Sequence, residues 1–462
     1  MSGGTGVSLP RGSQEAVARP GPRAFAVACV AGLSSALTSC VTPAPEQMAG
    51  PAVTIDEIAA GIETHIAAES KTGGGYFRLQ HEGRELSLEL VRVHMEYLSY
   101  LGDGVSFACV DLVGTDGPVY DVDFFMKGPP GSMKVTETSI HKLDGKPLYT
   151  WEQRPNGTWH RVPVKEASRR LLGVVDGADE FEFVYRAALP EIEGEARIWV
   201  PLAESDAFQR VEITGITAPD PRRELDEAEH GNKVLFMSAG PADSGKAIEI
   251  RYRVNRLEKS DYPAGEAAPE KHLDSEILVP DSGTFRAIAA EVTRGITTPR
   301  ARARALYDFV IREVRYAKYG TGWGAGDAVY ACDARSGNCT DFHAYFIALA
   351  RAADIPARFA IGASIPSERD EGGIDGYHCW AEFFADGKWV PVDISEADKH
   401  ASLVDYYFGH HPANRIELSK GRDLVVDPQP ASGPINFLAY PVMEVNGNPV
   451  KVRTQFSFRR LR

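Results

Sequence analysis

Gly337-Asn338-Cys339-Thr340-Asp341-Phe342-His343 runs directly into Ala344–Ala352. A glycine and an asparagine precede a cysteine, and a helix-favouring run begins after it. Phe342, Tyr345, Phe346, Ile347 and Leu349 make that run apolar nearly all round, which predicts a buried helix. A thiol at the start of such a helix sits over the partial positive charge of the N-terminus, a field that favours thiolate over thiol. Taken alone, Cys339 fits a structural buried cysteine equally well. The residues downstream decide between the two.

The predicted helix ends at Asp354-Ile355-Pro356, and Arg358–Ser364 reads as a strand. Tyr377-His378-Cys379-Trp380-Ala381-Glu382-Phe383-Phe384 and Lys388-Trp389-Val390-Pro391-Val392-Asp393 then flank Ala385-Asp386-Gly387, a hairpin signal. If Asp386-Gly387 is a two-residue turn, Ala385 faces Lys388, Trp380 faces Asp393, and His378 and Asp393 project from one face as diagonal neighbours. A carboxylate beside a histidine fixes its tautomer and stabilises its imidazolium. Laid over the cysteine, that imidazole can take the thiol proton and later protonate a leaving amine.

These four fragments, Gly337–Phe342, Ala350–Arg358, Tyr377–Glu382 and Trp389–Asp393, resemble in type and order the transglutaminase-like superfamily, cysteine enzymes with a papain-like core. The resemblance covers roughly residues 280–400. It implies Cys339 as nucleophile, His378 as base and Asp393 as orienting carboxylate. The Cys339 backbone N–H is the expected oxyanion donor. Trp323, in the glycine-rich loop Gly320–Asp327, stands nearer the cysteine than the family's transition-state tryptophan. Trp323, Asn338, His343 and Trp380 are the expected supporting residues of the cleft or transition state. Two local alternatives stay open: His343, one turn after Cys339, as the base, and zinc held among Cys332, Cys339, His343, His378 and Cys379. The absence of a Cys-x-x-Cys pair weighs against zinc. No P-loop or EF-hand pattern is present, so the sequence points to no cofactor and no metal.

Upstream, Ile288, Ala289, Val292 and Ile296 mark one helix, and Ala303, Leu306, Tyr307, Val310 and Val314 another. Before them, Phe181–Ala187, Glu195–Pro201, Gln209–Ile216, Lys233–Met237 and Lys246–Arg256 alternate cleanly and predict a β-sandwich over 169–260. Arg197–Leu202, with Gln209-Arg210-Val211, resembles the β-domain that often precedes such cores. Further upstream, one helix at Thr54–Ala68 and strands at Glu85–Met95, Val105–Leu112, Val119–Met126, Met133–Leu143 and Thr158–Val164 predict a small α+β domain over 54–168. His94, His141 and Cys109 are scattered there, with structural roles expected. Downstream, Arg415–Leu418, Asp423–Val426 and a closing hairpin around Asn446-Gly447 are assigned to a catalytic unit spanning 273–462. The expected fold class is thus α+β: a papain-like transglutaminase core preceded by a β-sandwich and a small N-terminal α+β domain. Two readings of the acidic loop Pro366–Gly376 stand open, a cover over the cleft and a solvated connection.

At 462 residues the chain has room for about three domains of roughly 150 residues each. A formal net charge of −14 offers no basic surplus to neutralise phosphates, which excludes nucleic acid as the expected partner. The first 39 residues form another class: Arg11, Arg19 and Arg23 precede the apolar run Ala24–Leu37, too short to span a bilayer and matching a signal-peptide core. Leu37-Thr38-Ser39-Cys40 resembles the lipobox of bacterial lipoproteins. That implies a signal peptide over 1–39, lipid attachment at Cys40, a tether over 40–53 and a membrane contact through the lipid. Val41 after Cys40 is not the aspartate of inner-membrane retention, so the periplasmic face of the outer membrane is expected. Cys109, Cys332, Cys339 and Cys379 are too few for a disulfide framework, though one oxidised pair including Cys332 stays open. The function that follows is an exported cysteine enzyme acting on protein or peptide amides through a thioester, leaning to hydrolysis. A cross-linking transglutaminase and a non-catalytic envelope scaffold are the alternatives.

Overall fold

A computed structural model describes residues 55–94, 99–102, 105–129, 132–154, 159–262 and 270–461. The predicted signal peptide, lipidation site and tether lie outside the described residues.

The helix Cys339–Ala352 is buried along most of its length, and this decides how the core is built. With no polar stripe to offer water, it needs neighbours on every side. Gly283–Val292 and Pro299–Glu313 pack on one side through Phe285, Ala289, Leu306, Tyr307 and Val310. An antiparallel sheet packs on the other, in the order Lys388–Val392, His378–Ala385, Ala357–Ser364, Arg415–Lys420. Cys379, Ala381, Phe383, Val390 and Val392 face the helix. On the alternate face, Glu382 is completely buried with Lys259 Nζ at 2.5 Å, Arg358 Nη2 at 2.7 Å and the Tyr262 hydroxyl at 2.9 Å. The glutamate of the Tyr377–Glu382 motif therefore ties the sheet to the linker that leaves the sandwich.

The sandwich consists of two five-stranded sheets. Phe181, Phe183, Tyr185 and Ala187 alternate inward against Ile198, Val200, Met237, Ile248, Ile250 and Val254, the period of two that the sequence shows. Its outline corrects one sequence assignment. Val442–Val445 pairs with Ala196–Leu202, and Arg453–Arg460 pairs with Ala178–Ala188, so the C-terminal strands belong to the sandwich and not to the 273–462 unit. The physical reason is edge pairing: both first strands had an open ladder, and local pattern carries no record of so distant a partner. Glu371–Ile374, within the loop read at Pro366–Gly376, adds to the far side of Arg453–Arg460 as an edge strand. Asp423–Val426 is not a strand; Leu424 makes an isolated bridge to Ile435. The hairpin at Asn446-Gly447 forms, with both residues at positive φ.

In the N-terminal region the helix Ile55–Thr72 lays Ile58, Ile62 and Ile66 on a sheet whose inner face carries Leu88, Val110, Leu112, Val122 and Phe124. Phe77–His81 and Tyr149–Gln153 are strands that the sequence reading passed over. This region docks on the core: the Gly117 carbonyl accepts from Arg315 Nη1 and the Tyr319 hydroxyl, each at 3.1 Å, and Lys146 pairs with Asp398 at 3.0 Å.

Candidate active site

Cys339 is held by its flanking residues. Asn338 caps the helix, its Oδ1 accepting from the Thr340 N–H at 3.0 Å. Asp341 completes a capping box by accepting from the Asn338 N–H at 2.9 Å. The same carboxylate accepts from the N–H groups of Gly324 at 2.8 Å and Gly326 at 3.0 Å, so it also pins the glycine-rich loop. Burial pushes the Asp341 carboxyl up to about 6, against the pull of those three donors. Gly337 is required here because a Cβ would stand 2.4 Å from the Asp341 side chain. The loop is gripped from its other side by Arg422, whose Nη1 donates to the Gly326 carbonyl at 2.6 Å. Arg422 Nε also stands 3.8 Å from Glu276 Oε2, so the guanidinium pairs with an acid as well as fixing this loop. Arg415 is buried with Nη2 3.9 Å from Asp393 Oδ2.

The hairpin has the predicted register: Ala385 pairs with Lys388 and Ala381 with Val392, across a turn with Asp386 and Gly387 both at positive φ. His378 and Asp393 meet as that register requires, with Nε2 2.6 Å from Oδ2. Asp393 is itself immobilised. Its Oδ1 accepts from the Glu396 N–H at 3.1 Å, capping the helix Ile394–Lys399, and from the Ser395 hydroxyl at 3.2 Å.

The electrostatics follow. Burial alone would raise the Asp393 carboxyl and lower the His378 imidazole, but each is the other's counter-charge. Asp393 is held well below the usual carboxylate range. His378 is held up at about 9 by the charge and hydrogen bond of Asp393 and by its hydrogen bond with Cys339. With Nε2 committed to Asp393, Nδ1 is the ring atom left for the sulfur. The Cys339 thiol is pulled well below its ordinary value, first by a hydrogen bond from Cys379, then, against the cost of burial, by the bond and charge of His378. Cys379 moves the other way, because burial and the neighbouring sulfur both disfavour its ionisation. The opposite directions of the two shifts favour a thiolate–imidazolium pair, with the Cys379 thiol beside the sulfur. Sequence reasoning missed Cys379 as a participant; the available signal was its shared face with Ala381 and Phe383, the apolar side of the strand that packs on the cysteine helix.

His343 is not a base. Its Nδ1 lies 2.7 Å from the Cys339 carbonyl, and its Nε2 accepts from the Ile394 N–H at 3.0 Å. An acceptor at Nε2 puts the proton on Nδ1, and burial lowers the pKa, so the ring is neutral with both nitrogens engaged. It braces the cysteine helix against the turn that carries Asp393. The same engagement leaves it no lone pair for zinc, and Cys332 lies apart, on the short helix Ala328–Ala334. All four cysteines of the described residues are free thiols. Trp380, expected at the cleft, is completely buried and packs edge-on against His411, with ring centroids 5.1 Å apart. It shares that side of the strand with Glu382 and His378, but only His378, the strand's first residue, reaches the sulfur. Trp323 is half-buried and lines a cavity of about 1110 Å³ together with Cys339, Asn338 and Tyr377. Asn338 Nδ2 donates to the Tyr377 hydroxyl at 3.2 Å across that wall.

His378 opens on a second cavity, of about 560 Å³, whose far wall is the N-terminal region. Asp375, Gly376 and Tyr377 line both cavities and form the partition between them. Asp375 is anchored by Arg92 at 3.5 Å and Lys318 at 3.8 Å. Asp370, Glu371, Gly372 and Gly373 of the acidic loop are exposed to solvent, while its end, from Asp375 on, forms a wall, and Glu371–Ile374 is stitched to the sandwich edge.

Residues 286–394 match the transglutaminase-like superfamily model, and the matched stretch contains the cysteine, the histidine and the carboxylate. Among relatives, an "Uncharacterized protein" of Haemophilus influenzae is 25% identical over 319 residues, 59% of this chain and 86% of its own. Among solved structures, a "Putative Cysteine Protease" from Cytophaga hutchinsonii aligns at 15% identity with a TM-score of 0.44, over 62% of this chain and 99% of that one. A "putative protease" from Parabacteroides distasonis aligns at 12% identity with a TM-score of 0.21, over 62% of this chain and 63% of that one.

Proposed function

We propose that this chain is an exported, lipid-anchored cysteine hydrolase of protein or peptide amides, tethered through Cys40 on the periplasmic face of the outer membrane. The observation that carries the chemistry is the 2.6 Å contact of His378 Nε2 with Asp393 Oδ2 beside a sulfur at a helix N-terminus. The anchor rests on Leu37-Thr38-Ser39-Cys40 alone.

The Cys339 thiolate attacks the amide carbonyl carbon and forms a C–S bond. The Cys339 N–H, at a helix position with no intrahelical acceptor, donates to the developing oxyanion. Trp323, in the same cavity, is the candidate second donor. As the C–N bond breaks, the His378 imidazolium gives its proton to the leaving amine, and a thioester remains. His378, now neutral, takes a proton from water; hydroxide adds to the thioester, the carboxylic acid leaves, and the thiolate–imidazolium pair is restored.

Incubation with a glutamine-containing peptide and a primary amine, read by mass spectrometry, tests this. Cleavage or deamidation that disappears in Cys339→Ala is the expected result. Amine incorporation as the main product makes the protein a cross-linking transglutaminase. No covalent intermediate with any carboxamide makes it a scaffold.

A further inference from the structure

The N-terminal region carries a second convergence of metal-binding side chains, unrelated to the cysteine helix. Cys109 and Asp123 are direct cross-strand partners. The next strand, Lys134–Leu143, contains a β-bulge: Asp121 pairs with Lys142 and Val122 with Ile140, which leaves His141 as the extra residue. A bulge re-aims the side chain of its extra residue, and here it turns the imidazole toward Asp123. The ligand atoms of Cys109, Asp123 and His141 all lie within 4.8 Å of one another.

The hydrogen bonding shows what this trio is shaped for. Asp123 is completely buried. Its Oδ2 accepts from the Tyr149 hydroxyl at 2.7 Å and Trp151 Nε1 at 3.2 Å, which fixes the plane of the carboxylate. Its Oδ1 has no hydrogen-bond partner, nor has His141 Nδ1, although the two stand 3.5 Å apart. Two atoms bound to one tetrahedral ion at about 2.0–2.3 Å stand roughly 3.3–3.7 Å apart, facing the ion rather than each other. The His141 ring is held by stacking on Tyr149, with centroids 4.7 Å apart and planes at 15°. Outer partners that orient a carboxylate and an imidazole in this way are the usual company of a metal site.

We propose that Cys109, Asp123 and His141 bind a zinc-class divalent transition ion, with a fourth position open to the cavity that also holds His378. A thiolate, an imidazole and a carboxylate suit zinc or cobalt and disfavour magnesium or calcium. Cys109 and His141 both line the 560 Å³ cavity, so the open position faces it. Binding releases the Cys109 thiol proton to solvent.

The test is a titration of the full chain, stripped with chelator and dialysed, with Co²⁺ alone. One equivalent with a thiolate-to-cobalt charge-transfer band, displaced by Zn²⁺, is expected. The band is retained in Cys339→Ala and lost in Cys109→Ser, while Asp123→Asn and His141→Gln each weaken binding by at least about 100-fold. Absence of the band in the unmutated chain overturns the proposal, as does its loss in Cys339→Ala with survival in Cys109→Ser. Unchanged affinity in both His141→Gln and Asp123→Asn overturns it too. The unmutated titration and His141→Gln decide the matter even if Cys109→Ser does not fold.

Discussion

Cys339, His378 and Asp393 on one side, and Cys109, His141 and Asp123 on the other, bring the same three residue types together in opposite ways. At Cys339 the sulfur starts a capped helix, one thiol donates to it, and the nearest carboxylate, Asp393, is spent on His378. At Cys109 the sulfur sits in mid-sheet, opposite Asp123, with Asp121 and Asp111 on neighbouring pleats. The first sulfur is pulled toward its anion by protein groups alone; the second is pushed toward its thiol by burial and by carboxylates. Residue type therefore decides little. What separates a nucleophile from a ligand is whether the positive charge is built in.

The hardest blow to this contrast comes from Asp393→Asn. The amide keeps the cap on Ile394–Lys399, so folding is little disturbed, but the imidazolium loses its counter-charge. A fall of about 10²–10⁴-fold in turnover is expected, with the iodoacetamide reactivity of Cys339 moved to higher pH. Unchanged turnover would make His378–Asp393 a structural pair.

A second test compares the two sulfurs directly. At neutral pH, iodoacetamide followed by peptide mapping is expected to modify Cys339 at least about 100-fold faster than Cys109. The Cys339 rate is flat between about pH 6 and 8, where a free thiol's rises roughly tenfold per unit. Turnover falls as pH rises through about 9, because the His378 imidazolium that protonates the leaving amine is lost there. The sign for stability agrees. A histidine raised from 6.5 to about 9 adds stability fully present below 6.5 and lost as pH climbs through 9. Equal labelling of both cysteines would erase the distinction.

The smallest effect concerns the frame of the first site. In Asp341→Asn one carbonyl oxygen replaces two carboxylate oxygens, so at least one of the Gly324, Gly326 and Asn338 N–H groups loses its acceptor. A loss of about 1–3 kcal/mol is expected from denaturant midpoints, with a change in Trp323 fluorescence as the loop loosens. A chain that melts earlier with unaltered fluorescence would separate the cap from the loop.

How much of this the sequence disclosed depends on how local each signal is. The pairing of His378 with Asp393 was legible because a two-residue Asp-Gly turn fixes register within sixteen residues. The neutral state of His343 was not, since it depends on the Ile394 N–H across the core. Trp380 was misplaced because alternation puts it on the same side of the strand as His378, yet only His378, the strand's first residue, reaches the sulfur, while Trp380 is covered by His411. The cluster at Cys109 was invisible for another reason: cross-strand partners and a bulge, not spacing along the chain, bring 109, 123 and 141 together.

Arg453–Arg460 lies between Ala178–Ala188 and Glu371–Ile374. The wall between the two cavities therefore hangs on a strand far downstream of it in sequence: Glu371–Ile374 has nothing to pair with until Arg453–Arg460 has joined Ala178–Ala188. Loosening that one strand would merge the two hollows without touching a residue of either catalytic candidate.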